Sequence, residues 1–207
     1  MTVNDLPHTI YVNSTQPSAA KELSQAILSF FSSPSIPFYD TIIILCIGTD
    51  RCTGDCLGPL VGYKLKNLPY NNVHVIGTLE EPVHAKNLAV YTAQIKKAFR
   101  HPLIIAVDAC LGKAEHVGFI AISNKPIKPG AGLNKDLPEI GDISIAGIVN
   151  SYGLMDYVIL QNTRLNTVMK MSDLIASGIK YVLWKQSQHL ICVPDNKNDV
   201  LDNLSTG

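Results

Sequence analysis

The sequence predicts a three-layer α/β/α domain on a twisted, mostly parallel central sheet, and three observations predict it. Residues 41–47 and 103–107 are apolar, largely β-branched runs without polar alternation, the pattern of strands buried on both faces. Stretches with apolar residues three and four positions apart lie between the candidate strands, as amphipathic helices do. The chain has 207 residues, 46% of them hydrophobic, which suits one α/β domain with a sizeable core. That domain is expected to span residues 1–207, with 1–7 and 195–207 as polar, flexible tails.

Taken in order, residues 8–13 read as a short strand. Ser18 opens a helix whose Leu23, Ala26, Ile27, Phe30 and Phe31 share one face, and Pro34 and Pro37 stop it. Residues 41–47 form the first fully buried strand, followed by a glycine-containing loop and a helix starting near Cys56. Residues 73–77 are a shorter strand. Leu88, Tyr91, Thr92, Ile95 and Phe99 then mark an amphipathic helix that ends before Pro102. Residues 103–107, 118–123 and 143–149 are three further strands. A final helix carries Leu165, Val168, Met169, Ser172, Ala176 and Ile179 on one stripe and continues to Trp184. Alternating strands and helices predict parallel pairing with helices on both faces, and functional groups at the carboxyl ends of the strands.

Composition narrows the function classes. Lys and Arg number 17, against 17 Asp and Glu, so the basic excess that powers nucleic-acid binding is missing. No apolar run reaches the roughly 18–20 residues that span a bilayer. The polar, acidic start, residues 1–5, is unlike a signal peptide. Five cysteines, at 46, 52, 56, 110 and 192, are an odd and scattered set that suits a reducing, cytoplasmic setting.

Two of the buried runs end on acids. Residues 41–47 lead into the loop 48–59, which holds Asp55, and residues 103–107 end directly on Asp108. On neighbouring parallel strands these two carboxyl groups would face one crevice. Desolvation there raises a carboxyl pKa, and two adjacent groups share a proton. Such a pair can activate water: one carboxylate takes the proton while the other polarises a carbonyl. Two plainer roles stand beside this one. Asp55 can cap the helix near Cys56, and Asp108 can simply bind loop amides.

Other constellations are less specific. Gly48, Gly54 and Gly58 punctuate the loop, but neither a Walker-type lysine motif nor Gly-x-Gly-x-x-Gly is present, which argues against a phosphate cradle. Cys52, Cys56, Cys110 and His84 could form a mixed metal site or a Cys/His nucleophile, although buried cysteine is commonly a small hydrophobe. Glu80 and Glu81 follow a strand and could supply a third acid or a solvated loop. Residues 125–135 form a locally basic Pro/Gly loop that could cover the crevice or hold an acidic substrate.

Several of these segments resemble known families. Gly48 to Pro59 with its acid at Asp55, then Val107-Asp108-Ala109, then residues 127–132, then 141–150, resemble the germination protease of spore-forming bacteria. That enzyme is an atypical aspartic peptidase that degrades small acid-soluble spore proteins. The first two motifs are also similar to the hydrogenase maturation endopeptidases, which share its fold. Over about residues 20–184 the chain looks closest to the YyaC-type sporulation proteins, through Lys128-Pro129 and the glycines that follow and through Asn162-Thr163-Arg164-Leu165.

The resemblance implies a hydrogenase-maturation-peptidase (phosphorylase/hydrolase-like) fold and a sporulation or germination endopeptidase. Asp55 and Asp108 match the catalytic aspartates, one as general base and the other protonated against the scissile carbonyl. Amides around Gly48, Gly54 and Gly58 would stabilise the oxyanion, with Glu81, His84 and Lys128 positioning a peptide or small spore protein. In the hydrogenase peptidases the matching acids and a later histidine bind the nickel of the substrate. Residues 161–165 hold no histidine here, so nickel recognition is not carried over. No cofactor is implied, nor a nucleic-acid or membrane partner. A homodimer in the forespore or spore core fits the family. A non-catalytic peptide-binding protein is the alternative from another class, and a metal-dependent hydrolase using Asp55, Asp108 and His84 is a third.

Overall fold

Strand β2 (Thr41–Cys46) organises the molecule, and its composition explains why. Ile42, Ile44 and Cys46 pack into the core on one side of the sheet, while Ile43, Leu45 and the following Ile47 pack on the other. A strand apolar on both faces can only sit centrally, where each fully buried isoleucine contributes about 1.5–3 kcal/mol. The protein is described by a computed structural model covering residues 8–129 and 139–188. The predicted tails 1–7 and 195–207, Cys192 and the glycines at 130 and 132 lie outside those residues.

Six strands form one sheet: β1 (Thr9–Asn13), β2, β3 (Val73–Ile76), β4 (Pro102–Gly112), β5 (Phe119–Ser123) and β6 (Ile143–Ser151). Their spatial order is β1-β5-β6-β4-β2-β3. Strands β3, β2, β4 and β6 pair in parallel, and β5 runs antiparallel to both β6 and β1. The sheet is therefore mostly parallel, as predicted, with one reversed strand. Only six residues separate β4 from β5, too few for the crossover that parallel neighbours need.

Helices α1 (Ala19–Phe31), α2 (Leu57–Leu65) and α5 (Leu165–Ser187) cover one face, and α3 (Leu88–Ala98) covers the other. The predicted stripe of α1 is buried, from Leu23 through Phe31. Gly178 of α5 lets Leu23 of α1 approach so closely that an added Cβ would stand 2.9 Å from it. Strand β4 runs five residues beyond the predicted end at Val107, because Asp108 to Gly112 continue the ladder with β6. A short helix, α4 (Asp156–Gln161), was not predicted; it has no buried residue, and so no apolar stripe to read.

Candidate functional site

Strands β2 and β4 are neighbours in parallel register, with Cys46 opposite Val107 and the Ile47 N–H donating to the Val107 carbonyl at 2.7 Å. The chain then leaves β2 at Gly48, whose φ of 140° disfavours any residue with a side chain. It turns through residues 49–53 into a 3-10 turn, Gly54–Cys56, and on into α2. Asp55 lies in that turn, and Asp108 follows Val107 directly. Both line one cleft of about 770 Å³ at the carboxyl end of the sheet, where a parallel α/β sheet keeps its functional groups.

Asp108 is 5% exposed. Alternation along β4 places it on the face shared by Ile104 and Ala106, and its Oδ1 accepts the Ala109 N–H at 2.8 Å. Burial holds its pKa well above the ordinary carboxylate value, and the charge of Asp55 pushes it further in the same direction. Asp55 is raised to about 6 by burial, against a smaller pull downward from the Thr49 backbone N–H. Burial thus raises both carboxyl groups of the cleft, and the charge of Asp55 adds to the rise of Asp108. The capping role open to Asp55 is not the one observed: Cys56 occupies the N-cap of α2, and no side chain caps it.

The remaining sequence candidates separate. Gly48, His84 and Lys128 line the cleft. The Gly48 N–H is already spent on the Val83 carbonyl at 2.7 Å, so it is no free oxyanion donor. Gly54 and Gly58 are not part of the lining: Gly54 packs under Leu160 and Thr163, and Gly58 lets α2 rest on the Ile47 backbone. Glu81 is exposed outside the cleft, and Glu80 pairs with Lys66 at 2.6 Å. His84 Nδ1 accepts the Lys86 N–H at 3.3 Å.

Among the described residues, no three His, Cys, Asp or Glu side chains converge on a point where they could hold a metal ion. Asp55, Asp108 and His84 line the cleft without forming such a group, and Cys52, Cys56, Cys110 and His84 do not form one either. The cysteines also lack thiolate character. Burial raises Cys56 to about 11 and Cys110 to about 12, and the Cys56 thiol donates to the Thr53 carbonyl at 2.9 Å. A Cys/His nucleophile requires the opposite shift.

One wall of the cleft, packed beside the turn that carries Asp55, escaped the sequence reading. Tyr152, Asp156, Tyr157 and Leu160 line the cleft from α4 and the turn before it. Tyr152 and Tyr157 are 68% and 51% exposed, and Leu154, Met155 and Val158 beside them are exposed too. Asn150 fastens this wall, donating from Nδ2 to the Thr163 hydroxyl at 3.3 Å and to the Ile159 carbonyl at 3.4 Å. The cluster of aromatic and apolar residues at 152–160 was the one available signal for it.

Comparison with known proteins accords with this geometry. Residues 11–178 match the family model described as Protein of unknown function (DUF1256). The chain is 50% identical over 181 residues to YyaC of Bacillus subtilis (strain 168), covering 86% of this chain and 87% of that protein. The YyaC-type likeness read from the sequence is thereby borne out. Its structure is similar to that of the NiFe hydrogenase maturation protease HycI from Thermococcus kodakarensis KOD1. The TM-score is 0.50 at 18% identity, over 76% of this chain and 98% of that one. The chain therefore has an α/β fold like that of a hydrogenase maturation protease. No helix among the described residues is long and apolar enough to cross a membrane.

Proposed function

The chain belongs to the DUF1256 family, and from that premise we propose that it is a peptide hydrolase in which Asp55 and Asp108 activate water. One observation carries the reading: a carboxyl group in the turn that follows β2 and another within the adjacent parallel strand β4 line one cleft, both with proton affinity raised by burial, and Asp108 further by the charge of Asp55. The protease named among its structural neighbours shares the α/β fold on which such a site would sit.

In this reading Asp55 is the carboxylate and Asp108, the more deeply buried of the two and raised further by the charge of Asp55, the acid. Because Asp108 Oδ1 accepts the Ala109 N–H, the proton belongs on Oδ2. Asp55 removes a proton from a water, the hydroxyl adds to the scissile carbonyl carbon, and Asp108 Oδ2 gives its proton to the carbonyl oxygen. Collapse of the tetrahedral adduct breaks the C–N bond. Asp55 passes its proton to the departing amine and Asp108 recovers one from the hydroxyl, so both groups return to their starting state. His84 and Lys128 stand where they can orient the substrate. We extend the reading to sporulation, with small acid-soluble spore proteins as the first substrates to try.

The test is cleavage of such a protein, followed by mass spectrometry, with wild type, Asp55→Asn and Asp108→Asn in parallel. Discrete cuts that fall by about 10²–10⁴-fold in both folded variants are the expected result. Cuts that survive both substitutions would overturn the two-aspartate mechanism. Binding without cleavage by the wild type would make the protein a peptide receptor on a peptidase fold.

A further inference from the structure

The floor of the cleft carries an unfinished hydrogen-bond ladder. Backbone groups of successive strand residues point to opposite neighbours. In β4 the even residues face β6: the Ile104 carbonyl accepts the Asp142 N–H, and the Gly112 carbonyl accepts the Tyr152 N–H, both at 2.8 Å. The odd residues face β2, as the Val107 carbonyl does toward Ile47. Strand β2 ends there, whereas β4 and β6 remain paired as far as Gly112 and Ser151.

Ala109 and Leu111 are the next odd residues, so they present backbone groups to the space β2 has left. The Ala109 N–H turns to the Asp108 carboxyl. Among the described residues, no hydrogen bond is made to the Ala109 carbonyl or to the Leu111 N–H and carbonyl from that side. Both residues line the cleft, and Leu111 is buried. Backbone donors and acceptors withdrawn from bulk water need partners.

We infer that the cleft takes its substrate as an added β-strand, an extended polypeptide segment hydrogen-bonded along the Ala109–Leu111 edge of β4. The inference rests on the peptidase reading and deepens it by specifying how the substrate lies. An extended chain is the occupant this edge fits, because only a backbone supplies donors and acceptors at strand spacing. The edge begins one residue after Asp108, so a strand docked there carries its peptide groups past the acid pair. Its side chains alternate between the two sides of the cleft, and every second one meets Tyr152 and Tyr157. Recognition is then indifferent to sequence at the backbone and selective for apolar groups at alternate positions.

The test uses full-length Asp55→Asn, so that binding is read without hydrolysis, and a randomised library of acetylated, amidated octapeptides. The best binder is resynthesised with single N-methyl groups along its backbone. Exchange of the Leu111 amide is followed by NMR. The Leu111 amide should exchange quickly in the free protein and slow at least tenfold with peptide. N-methylation at one set of alternate positions should weaken binding about tenfold, the loss of one backbone hydrogen bond, and by less than about twofold at the positions between.

Binding without Leu111 protection, or equal sensitivity at all positions, would overturn the strand geometry while leaving the wild-type cleavage assay to judge the peptidase reading. A Leu111 amide already protected in the free protein would mean that another part of the chain completes the edge, and would overturn the inference. So would a library that yields no binder, whatever the cleavage assay shows.

Discussion

Replacing Asp55 by asparagine should cut hydrolysis by about 10²–10⁴-fold and, at the same time, stabilise the protein at neutral pH. Burial raises the Asp55 carboxyl from 3.8 to about 6; in the unfolded chain it returns to about 3.9. Between pH 4 and 6 the folded protein therefore keeps a proton that the unfolded chain has released. Wild-type stability falls as pH rises through that window, and the loss persists above it. A rise of this size, at about 1.4 kcal/mol per pH unit, comes to about 3 kcal/mol. An asparagine of nearly the same shape carries no charge and escapes that cost. Urea unfolding of both proteins from pH 4 to 8 should show the variant about 3 kcal/mol more stable at pH 7.5, or roughly 1.5 M in midpoint at a typical slope. The advantage should shrink to nothing near pH 4, where wild-type Asp55 is itself neutral. A variant less stable than wild type at pH 7.5, or an advantage that does not change with pH, would refute the reasoning.

Other expectations follow from the same geometry. Hydrolysis should rise with pH through about 6 as Asp55 ionises; initial rates from pH 4 to 8 would show that limb, and a flat profile would remove Asp55 as the base. Iodoacetamide should label Cys110 slowly at pH 8, because burial keeps the thiol protonated; rapid labelling would show the opposite. Gly58→Ala should destabilise the fold by more than about 3 kcal/mol in urea titrations, despite alanine's better helix propensity. Its Cβ would stand 2.1 Å from the Ile47 carbonyl oxygen, forcing α2 off the sheet. Tyr157→Ala, at an exposed position, should shift unfolding by less than about 0.5 kcal/mol while raising KM for apolar peptides.

What could be read from the sequence, and what could not, divides along physical lines. Strands β2 and the first half of β4 were legible because their burial on both faces leaves continuous apolar runs. Helices α1 and α5 were legible because each buries a single stripe. The second half of β4 was hidden: Asp108, Cys110 and Gly112 break the apolar run, although the ladder with β6 holds them in the strand. The reversal of β5 was hidden because local sequence says nothing of strand direction. For the site, the two aspartates were visible through their position after buried apolar runs. The tyrosine wall was not, since α4 is placed by side-chain bonds from Asn150 and Thr163, which leave no periodic trace. The glycines of the 48–58 loop looked like chemistry and proved mainly to be spacing.

The attachment of α4 also sets how tolerant the cleft is. The floor is a strand laddered on one side to β6, and its atoms cannot move without breaking the sheet. Another part of the lining comes from a six-residue helix with no fully buried side chain, held by Leu160 against the Gly54 turn and by the bonds of Asn150 and Thr163. Local opening of such a short surface element costs less than global unfolding, so this wall can yield where the floor cannot. One side of the cleft is a ruler and the other a cushion. Peptides of different side-chain bulk can therefore be accommodated by displacing Tyr152 and Tyr157, without altering the path of the backbone past Asp108.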